Sequence, residues 1–450
     1  MDIVIVGAGK VGQTLCEELS QIHNVVMIDL SSNLVDELMN KYDITGMVGN
    51  GASIDTQKEA GVEHADIFIA ATDSDEVNLI SATLAKKLGV RHTVSRVRNP
   101  EYAKQLDFMR NALGISLIIN PEMAAAMDIA RAIRYASASN VETLAGNRAS
   151  LVEVDITDKS TLNGLSLSDF RTKYGSVLVC IIDRDGDVFI PSGSDTLQAN
   201  DKIYVAGLPK DMTTFHRQIG NSEKAIKSVF VLGGGKIAYY LFKLLEHTHM
   251  DMKVIEHNLE KCEQLSAEYP ALKVIHADGT NPDVLDEQGL ENYDAFVSLT
   301  GVDEENLIAS IYADKKGVRK VITKMSRTNI LKVLDTKQLK KIVTPKNLIA
   351  SQISRFVRSR ANAQGSRVEA LYRVAQGKVE VLMFKVSEQC HILDRQIKDM
   401  PLKKNLLIAY ILRQGKIIYA NGRDSLQADD KVIVITTNKH FSDLEDILDK

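Results

Sequence analysis

The chain repeats itself. An apolar strand running into a glycine-rich turn, Ile3-Val4-Ile5-Val6-Gly7-Ala8-Gly9-Lys10-Val11-Gly12, returns 226 residues later, where the strand 227–232 leads into Gly233-Gly234-Gly235-Lys236-Ile237-Ala238. Whatever the fold, it has to fit the same order of elements twice. A period this long describes repeated domains and not the roughly 20–50-residue units of a solenoid.

Each turn has the form GxGxxG/A between a strand and a helix. The first glycine permits a tight bend, the second lets a phosphate approach the backbone, and the small third residue lets the helix lie close to the strand. A pyrophosphate would then rest on free N–H groups at a helix N-terminus. The helix is legible in Val11, Leu15, Leu19 and Ile22, and the strand 25–28 that follows ends on Asp29, 22 residues past Gly7. In the second copy the strand 254–256 ends on Glu256, 23 residues past Gly233. A carboxylate there accepts ribose hydroxyls of an adenosine and repels a 2′-phosphate, which points to NAD/NADH or ATP/ADP and away from NADP.

Between 40 and 99, strand-like runs at 45–48, 66–70 and 92–97 alternate with helical patterns at 56–60 and 75–88, the second opened by Thr72, Asp73 or Ser74 as cap. Gly49-Asn50-Gly51 and Ala71-Thr72-Asp73 therefore sit where strands end, along the ligand crevice of a parallel sheet. The strand 117–119 is followed by a helix opening at Pro121 and running to about Tyr135. Its methionines and alanines read as a packed face, and the helix as one that connects or swaps between subunits. After a polar linker at 136–149, short strands at 176–182, 188–190 and 202–205 outline a small lobe ending near 221. Asp183-Arg184-Asp185-Gly186 in it is a hairpin turn, because Ser194 stands where a calcium loop needs glutamate.

The repeat keeps step throughout. Gly51 matches Gly279, which follows Asp278; Ala71-Thr72 matches Leu299-Thr300; Asp75-Glu76 matches Asp303-Glu304; and Asn78 matches Asn306. Pro121 matches Pro345, Arg131 and Arg134 match Arg355 and Arg358, and the string DTLQANDK at 195–202 matches DSLQADDK at 424–431. The fold class is α/β, a tandem repeat of a Rossmann-type doubly wound parallel sheet plus a small α+β lobe. The expected segments are 1–120, 121–140 (crossover helix and linker), 141–224, 225–344, 345–366 (crossover helix and linker) and 367–450.

Composition removes several function classes. A net charge of -4 gives no basic footprint, so nucleic acid is not an expected partner. The four widely spaced cysteines form no CxxC pair and read as small apolar fillers in a reducing compartment. His23, His247 and His249 lack a convergent ligand set, so no metal site is expected. No apolar run approaches the roughly 18 residues that span a bilayer, so the chain is expected in the cytoplasm.

GAGKVG with its terminal acid, GNGAS, ATDSDEVN, SRVRNP and the string at 162–205 together resemble the regulator-of-potassium-conductance family (RCK, or KTN). The resemblance spans essentially the whole chain, and the doubled length is similar to members that serve Trk potassium uptake. It implies an RCK N-lobe and C-lobe in each half, and a homodimer or homotetrameric ring. That ring would lie beneath an integral-membrane potassium channel subunit of the TrkH or TrkG kind, peripheral on the inner face of the plasma membrane. Nucleotide contacts carry over to Gly7, Ala8, Gly9, Lys10, Val11 and Gly12, and to Asp29, Gly51, Thr72, Asp73 and Arg96. In the second half they carry over to Gly233, Gly234, Gly235, Lys236, Ile237, Glu256, Asp278, Thr300 and Lys324. No catalytic residue is implied. Gly301 stands in place of Asp73 and Lys324 in place of Arg96, so the guanidinium fork is lost and the second site is expected to bind more weakly or to prefer another nucleotide. An NAD-dependent oxidoreductase, or a nucleotide sensor on another ion transporter, are the other readings such a sequence leaves open.

Overall fold

A computed structural model of the chain describes residues 1–103, 105–134, 141–144, 149–219, 226–327, 341–362, 368–439, 441 and 443–449. The linker expected at 136–149 falls outside the described residues except for 141–144 and 149, as do 221–224 and the second linker at 363–366.

The first lobe carries strands β1 (Asp2–Val6), β2 (Asn24–Asp29), β3 (Thr45–Val48), β4 (Ile67–Ala70), β5 (His92–Arg96) and β6 (Leu117–Ile119). They form one parallel sheet in the order β3-β2-β1-β4-β5-β6. Helices cover both faces, which is why β1 and β4 are continuous apolar runs, buried throughout Ile3–Val6 and Ile67–Ala70. Two helices of this lobe start where a serine side chain holds a free amide. Ser31 accepts from Leu34 N–H, and Ser74 is the one of the three expected candidates that caps the helix Asp75–Lys87, accepting from Val77 N–H.

The second Rossmann lobe repeats the plan with β12 (Ser228–Leu232), β13 (Asp251–Glu256), β14 (Lys273–His276), β15 (Ala295–Ser298), β16 (Lys320–Lys324) and β17 (Lys341–Val343), in the order β14-β13-β12-β15-β16-β17. Between the lobes in sequence lie β7 (Val141–Leu144), β8 (Ala149–Asp155), β9 (Val177–Arg184), β10 (Asp187–Phe189) and β11 (Lys202–Gly207), an antiparallel sheet ordered β10-β9-β11-β8-β7. The last small lobe, β18 (Val368–Val374), β19 (Val379–Lys385), β20 (Leu406–Arg413), β21 (Lys416–Tyr419) and β22 (Lys431–Thr436), has the matching order β18-β19-β22-β20-β21.

By contact the chain forms two compact units, and each collects like lobes. One holds Met1–Arg134 with Ile226–Ser354, the other Tyr135–Ala225 with Arg355–Lys450. In the first unit the helix Pro121–Arg134, expected to connect or swap between subunits, packs within the chain along Lys236–Leu245 of the second lobe. Ala125, Ala126, Ile129, Ala130 and Ile133 form its buried face, whereas Met127 faces solvent and takes no part in the packed face expected of the methionines. Asn120 Nδ2 donates to the Tyr240 hydroxyl at 2.9 Å, and that hydroxyl donates to the Arg98 carbonyl at 3.0 Å. On the other side Ser354 Oγ donates to Glu18 Oε2.

In the second unit the inner faces of the two small sheets share one core, in which Leu151, Cys180, Ile181 and Tyr204 meet Val381, Ala409, Tyr410 and Ile433. The repeated string is a structural pin. Arg184 forks onto Asp201 at 2.7 and 2.8 Å and reaches the Thr196 carbonyl, and Asp201 also accepts the Gln198 N–H. Arg413, Asp430, Ser425 and Gln427 reproduce every contact. Asp185 and Gly186, both at positive φ, make the two-residue hairpin turn expected there, between Arg184 and Asp187. All four cysteines are buried and free, and burial pushes the Cys16 and Cys180 thiols up to about 12.

Candidate functional site

In the first lobe the strand order reverses between β1 and β4, and the crevice at the carboxyl ends of these two strands is the natural ligand position. Gly7 leaves β1 at φ +106, and a Cβ there would lie 2.8 Å from Thr72 N and 2.9 Å from the Ala71 carbonyl. The bend and the close approach to the β4 loop both need glycine. Gly9 is the cap of the helix Lys10–Leu19, with extended backbone, no side-chain cap and nothing within 4 Å of a built Cβ. The first amides of that helix are therefore open to an anion. Gly12 serves the packing, since a Cβ would come within 1.9 Å of the Gly7 carbonyl oxygen. Lys10 is exposed, while the side chain of Val11 is buried and leaves only its backbone facing the turn.

Asp29 ends β2 beside this turn. Its Oδ2 accepts the Ala8 N–H at 2.6 Å and its Oδ1 the Ser31 N–H at 2.8 Å, so the acid both shapes the turn and stays half-open to the crevice. Gly51 is present for a packing reason, because a Cβ there would sit 2.1 Å from Val6 Cγ1.

The opposite wall consists of Thr72, Asp73 and Arg96. Arg96 Nη2 donates to Asp73 Oδ1 at 2.9 Å and to the Thr72 carbonyl, while its Nε is buried without a hydrogen-bond partner. The Asp73 side chain is 97% exposed, and the Arg96 guanidinium beside it holds its carboxyl below the usual range. Two residues matched in the repeat hold this wall and were not read as site residues. Asn78 bonds both Thr72 and the Arg96 carbonyl, and Asp75 Oδ2 accepts the Arg98 and Asn99 N–H groups at 2.8 Å each. Their recurrence as Asn306 and Asp303 was the available signal. Glu122, on the crossover helix, gave none. It lies 4.0 Å from Arg98, and burial raises its pKa against the pull of Arg98, Arg96 and Lys236 of the other lobe's turn.

The second crevice has the same frame and different chemistry. Gly233 sits at φ +96 against the Leu299-Thr300 backbone, Gly235 is open, and Ala238 occupies the third small position. Gly234 is crowded, with Leu265 and Glu256 within 3.2 Å of a built Cβ. Lys236 is exposed and Ile237 buried. Lys324 Nζ donates to the Thr300 carbonyl at 2.8 Å, with burial lowering its pKa, and Gly301 leaves open the space that Asp73 fills in the first lobe. Asp278 turns back on Thr280, accepting both its N–H and its hydroxyl. Glu256, which ends its strand as Asp29 does, is only 4% exposed and accepts Gly234 N–H at 2.7 Å and Asn258 N–H at 2.8 Å. Its additional methylene carries the carboxylate deeper under the turn.

Comparison with known proteins follows the duplication. Residues 3–121 and 229–345 match the TrkA-N domain, and residues 151–220 and 381–449 match the TrkA-C domain. The chain is 28% identical over 448 residues to the Trk system potassium uptake protein TrkA homolog of Archaeoglobus fulgidus, covering 99% of this chain and all of that one. It is 29% identical to the Trk system potassium uptake protein TrkA of Halomonas elongata, covering 98% and 96%. Among solved structures, the GsuK RCK domain superposes with a TM-score of 0.64 at 14% identity, over 96% of this chain and 92% of that one. The GsuK channel bound to NAD gives 0.64 at 15%, over 97% and 76%. These two likenesses concern the fold. With both domain types matched twice and in order, the chain belongs to the TrkA family, as a tandem protein of RCK fold.

Proposed function

We propose that the chain is the nucleotide-binding regulatory subunit of a Trk-type potassium uptake system, and that it gates a membrane channel subunit of the TrkH or TrkG kind in response to NAD/NADH or ATP/ADP. The observation that carries this reading is the uncapped, unobstructed helix start at Gly9 beside the half-open carboxylate of Asp29, a place for a pyrophosphate next to a place for a ribose. Gly7, Ala8, Gly9, Lys10 and Val11 cradle the phosphates through the backbone, and Asp29 takes the ribose. Thr72, Asp73 and Arg96 face the far end of the ligand. The second crevice uses Gly233 to Ile237, Glu256, Asp278, Thr300 and Lys324, with lower affinity or a preference for another nucleotide.

The relatives named as Trk system potassium uptake proteins support the partner, and the solved GsuK channels bound to NAD and to ADP support the ligand class. No described helix is long and apolar enough to cross a membrane, so passage of the ion falls to the partner. The chain acts at the cytoplasmic face as a homodimer or homotetrameric ring, without catalysis, its segments dividing at 120, 140, 224, 344 and 366. A ligand shifts the ring only through a difference in affinity between two conformations. Potassium flux into vesicles holding the reconstituted pair should change on adding NADH, NAD, ATP or ADP. Indifference to all four sinks the reading.

A further inference from the structure

The far walls of the two crevices differ in charge. A ligand that starts at the strand-end acid of β2 or β13 and crosses the glycine turn after β1 or β12 arrives next at the end of β4 or β15, because the sheet order sets these strands side by side. An adenine dinucleotide and an adenosine triphosphate share this path as far as the second phosphate. Beyond it the dinucleotide presents a neutral ribose with two hydroxyl donors, and the triphosphate a terminal phosphate carrying about two negative charges. The residue at the end of β4 or β15 therefore chooses between them.

In the first crevice that residue is Asp73. Its exposed carboxylate gives Oδ1 to Arg96 Nη2 at 2.9 Å, and its Oδ2 takes no hydrogen bond among the described residues. The hydrogen bond from Arg96, with the charges of Arg98 and Lys10 behind it, holds the carboxyl below its usual range. A ribose hydroxyl finds an open, charged acceptor there. A terminal phosphate meets a like charge, and to reach Arg96 it has to displace a carboxylate already paired with it.

In the second crevice Gly301 takes that place, with no carboxylate and nothing within 4 Å of a built Cβ. Lys324, which matches Arg96, gives one of the three donors of its ammonium to the Thr300 carbonyl at 2.8 Å. Burial lowers its pKa against the pull of Asp303, the condition of an ammonium short of counter-charge. A terminal phosphate supplies that charge in the space Gly301 leaves. The sugar end agrees, since Glu256 is buried where Asp29 is half-open and leaves more of the affinity to the phosphates.

We propose that positions 73 and 301 sort the ligands: the first crevice takes the dinucleotide NAD or NADH and rejects triphosphates, and the second takes ATP, with its terminal phosphate beside Gly301 on Lys324. This rests on the reading of both crevices as nucleotide sites.

The test titrates the full chain calorimetrically with NAD and with ATP, in EDTA so that no divalent ion bridges Asp73 to a phosphate. With Gly235→Val closing the second crevice, NAD should bind about tenfold or more tightly than ATP. Asp73→Gly in that chain should tighten ATP by about ten- to a hundredfold, the effect of freeing one charged hydrogen-bond partner, and weaken NAD several-fold. Asp73→Asn, which keeps the size and loses the charge, should tighten ATP as well and guards against an effect of misfolding. With Gly9→Val closing the first crevice, ATP should bind more tightly than NAD. Gly301→Asp, at a glycine that is not at positive φ and has room for a Cβ, should reverse that order. The same preference in both crevices, or a preference that residues 73 and 301 do not move, refutes the sorting and leaves the nucleotide reading standing. One crevice that takes neither ligand likewise refutes the sorting alone. If neither ligand binds in either crevice, both are refuted.

Discussion

The side-chain amide of Asn78 grips Thr72 from both ends. Its Oδ1 accepts the Thr72 N–H at 2.8 Å and the Thr72 hydroxyl at 2.7 Å, and its Nδ2 donates to the Thr72 carbonyl and to the Arg96 carbonyl at 3.0 Å each. One fully buried amide thereby joins the ends of β4 and β5 into a single wall of the crevice. Asn306 likewise accepts the Thr300 N–H and donates to the Thr300 and Lys324 carbonyls, although the Thr300 hydroxyl turns to the Val302 carbonyl instead. Replacing Asn78 with Ala leaves buried backbone groups unpaired, and should cost about 3 kcal/mol of stability. Urea denaturation checks this, and NAD titration should show weaker binding as the wall loosens. An unchanged midpoint would mean that the wall is held by something else.

The glycines of the first turn should separate folding from binding. Gly12→Ala drives a methyl into the Gly7 carbonyl and should lower the yield of folded protein or the melting temperature of the first unit. A Cβ at Gly9 meets no protein atom within 4 Å, so the circular dichroism melt of Gly9→Val should stay near the parent while NAD binding in that crevice is lost. Equal loss of stability in both variants would contradict this division.

Asp29→Asn keeps the size and loses two things. The amide NH2 must face either the Ala8 or the Ser31 N–H, donor against donor, and the charged acceptor for ribose is gone. NAD affinity should fall by about 1–3 kcal/mol, with a smaller loss in stability. Calorimetric titration beside a denaturation curve distinguishes the two, and wild-type affinity would remove Asp29 from the site.

Tyr240 ties the second lobe to Asn120 and Arg98 of the first, and burial pushes its phenol up to about 12. An unfolded tyrosine loses its proton near pH ~10. The group therefore stabilises the fold fully below about pH 10, and that contribution declines as pH rises toward 12. Tyr240→Phe should cost about 1–2 kcal/mol at neutral pH and show a shallower decline between pH 9 and 11. Denaturation curves at the two pH values measure the difference.

Glu122 should make the first unit more stable in mild acid. Burial raises its folded pKa, so its contribution is complete below the ordinary glutamate value and is lost as pH rises through the raised one. Glu122→Gln, which resembles the protonated form, should flatten the pH profile of the melting temperature between about 4 and 7 and raise it at neutrality. A variant that melts lower than the parent at pH 7 would show that the charge is needed by Arg98 or Lys236.

The sequence by itself determined the parts whose geometry depends on near neighbours: the strand, turn and helix at Gly7 to Gly12, the helix starts at Asp75 and Pro121, the hairpin turn within 183–186, and the duplication. Backbone stereochemistry and capping act over a few residues, so a local reading suffices. Only the tertiary structure decided which like lobes pack together, that the helix Pro121–Arg134 lies on Lys236–Leu245, and that Asn78 holds the crevice wall. It also decided that Glu256 is sunk under its turn, both its oxygens accepting backbone N–H groups, although the letters suggested a plain equivalent of Asp29. The reason is physical. Which buried surfaces meet, and which lone pairs are already taken when a ligand arrives, depends on groups far apart in the chain whose distances exist only once it has folded.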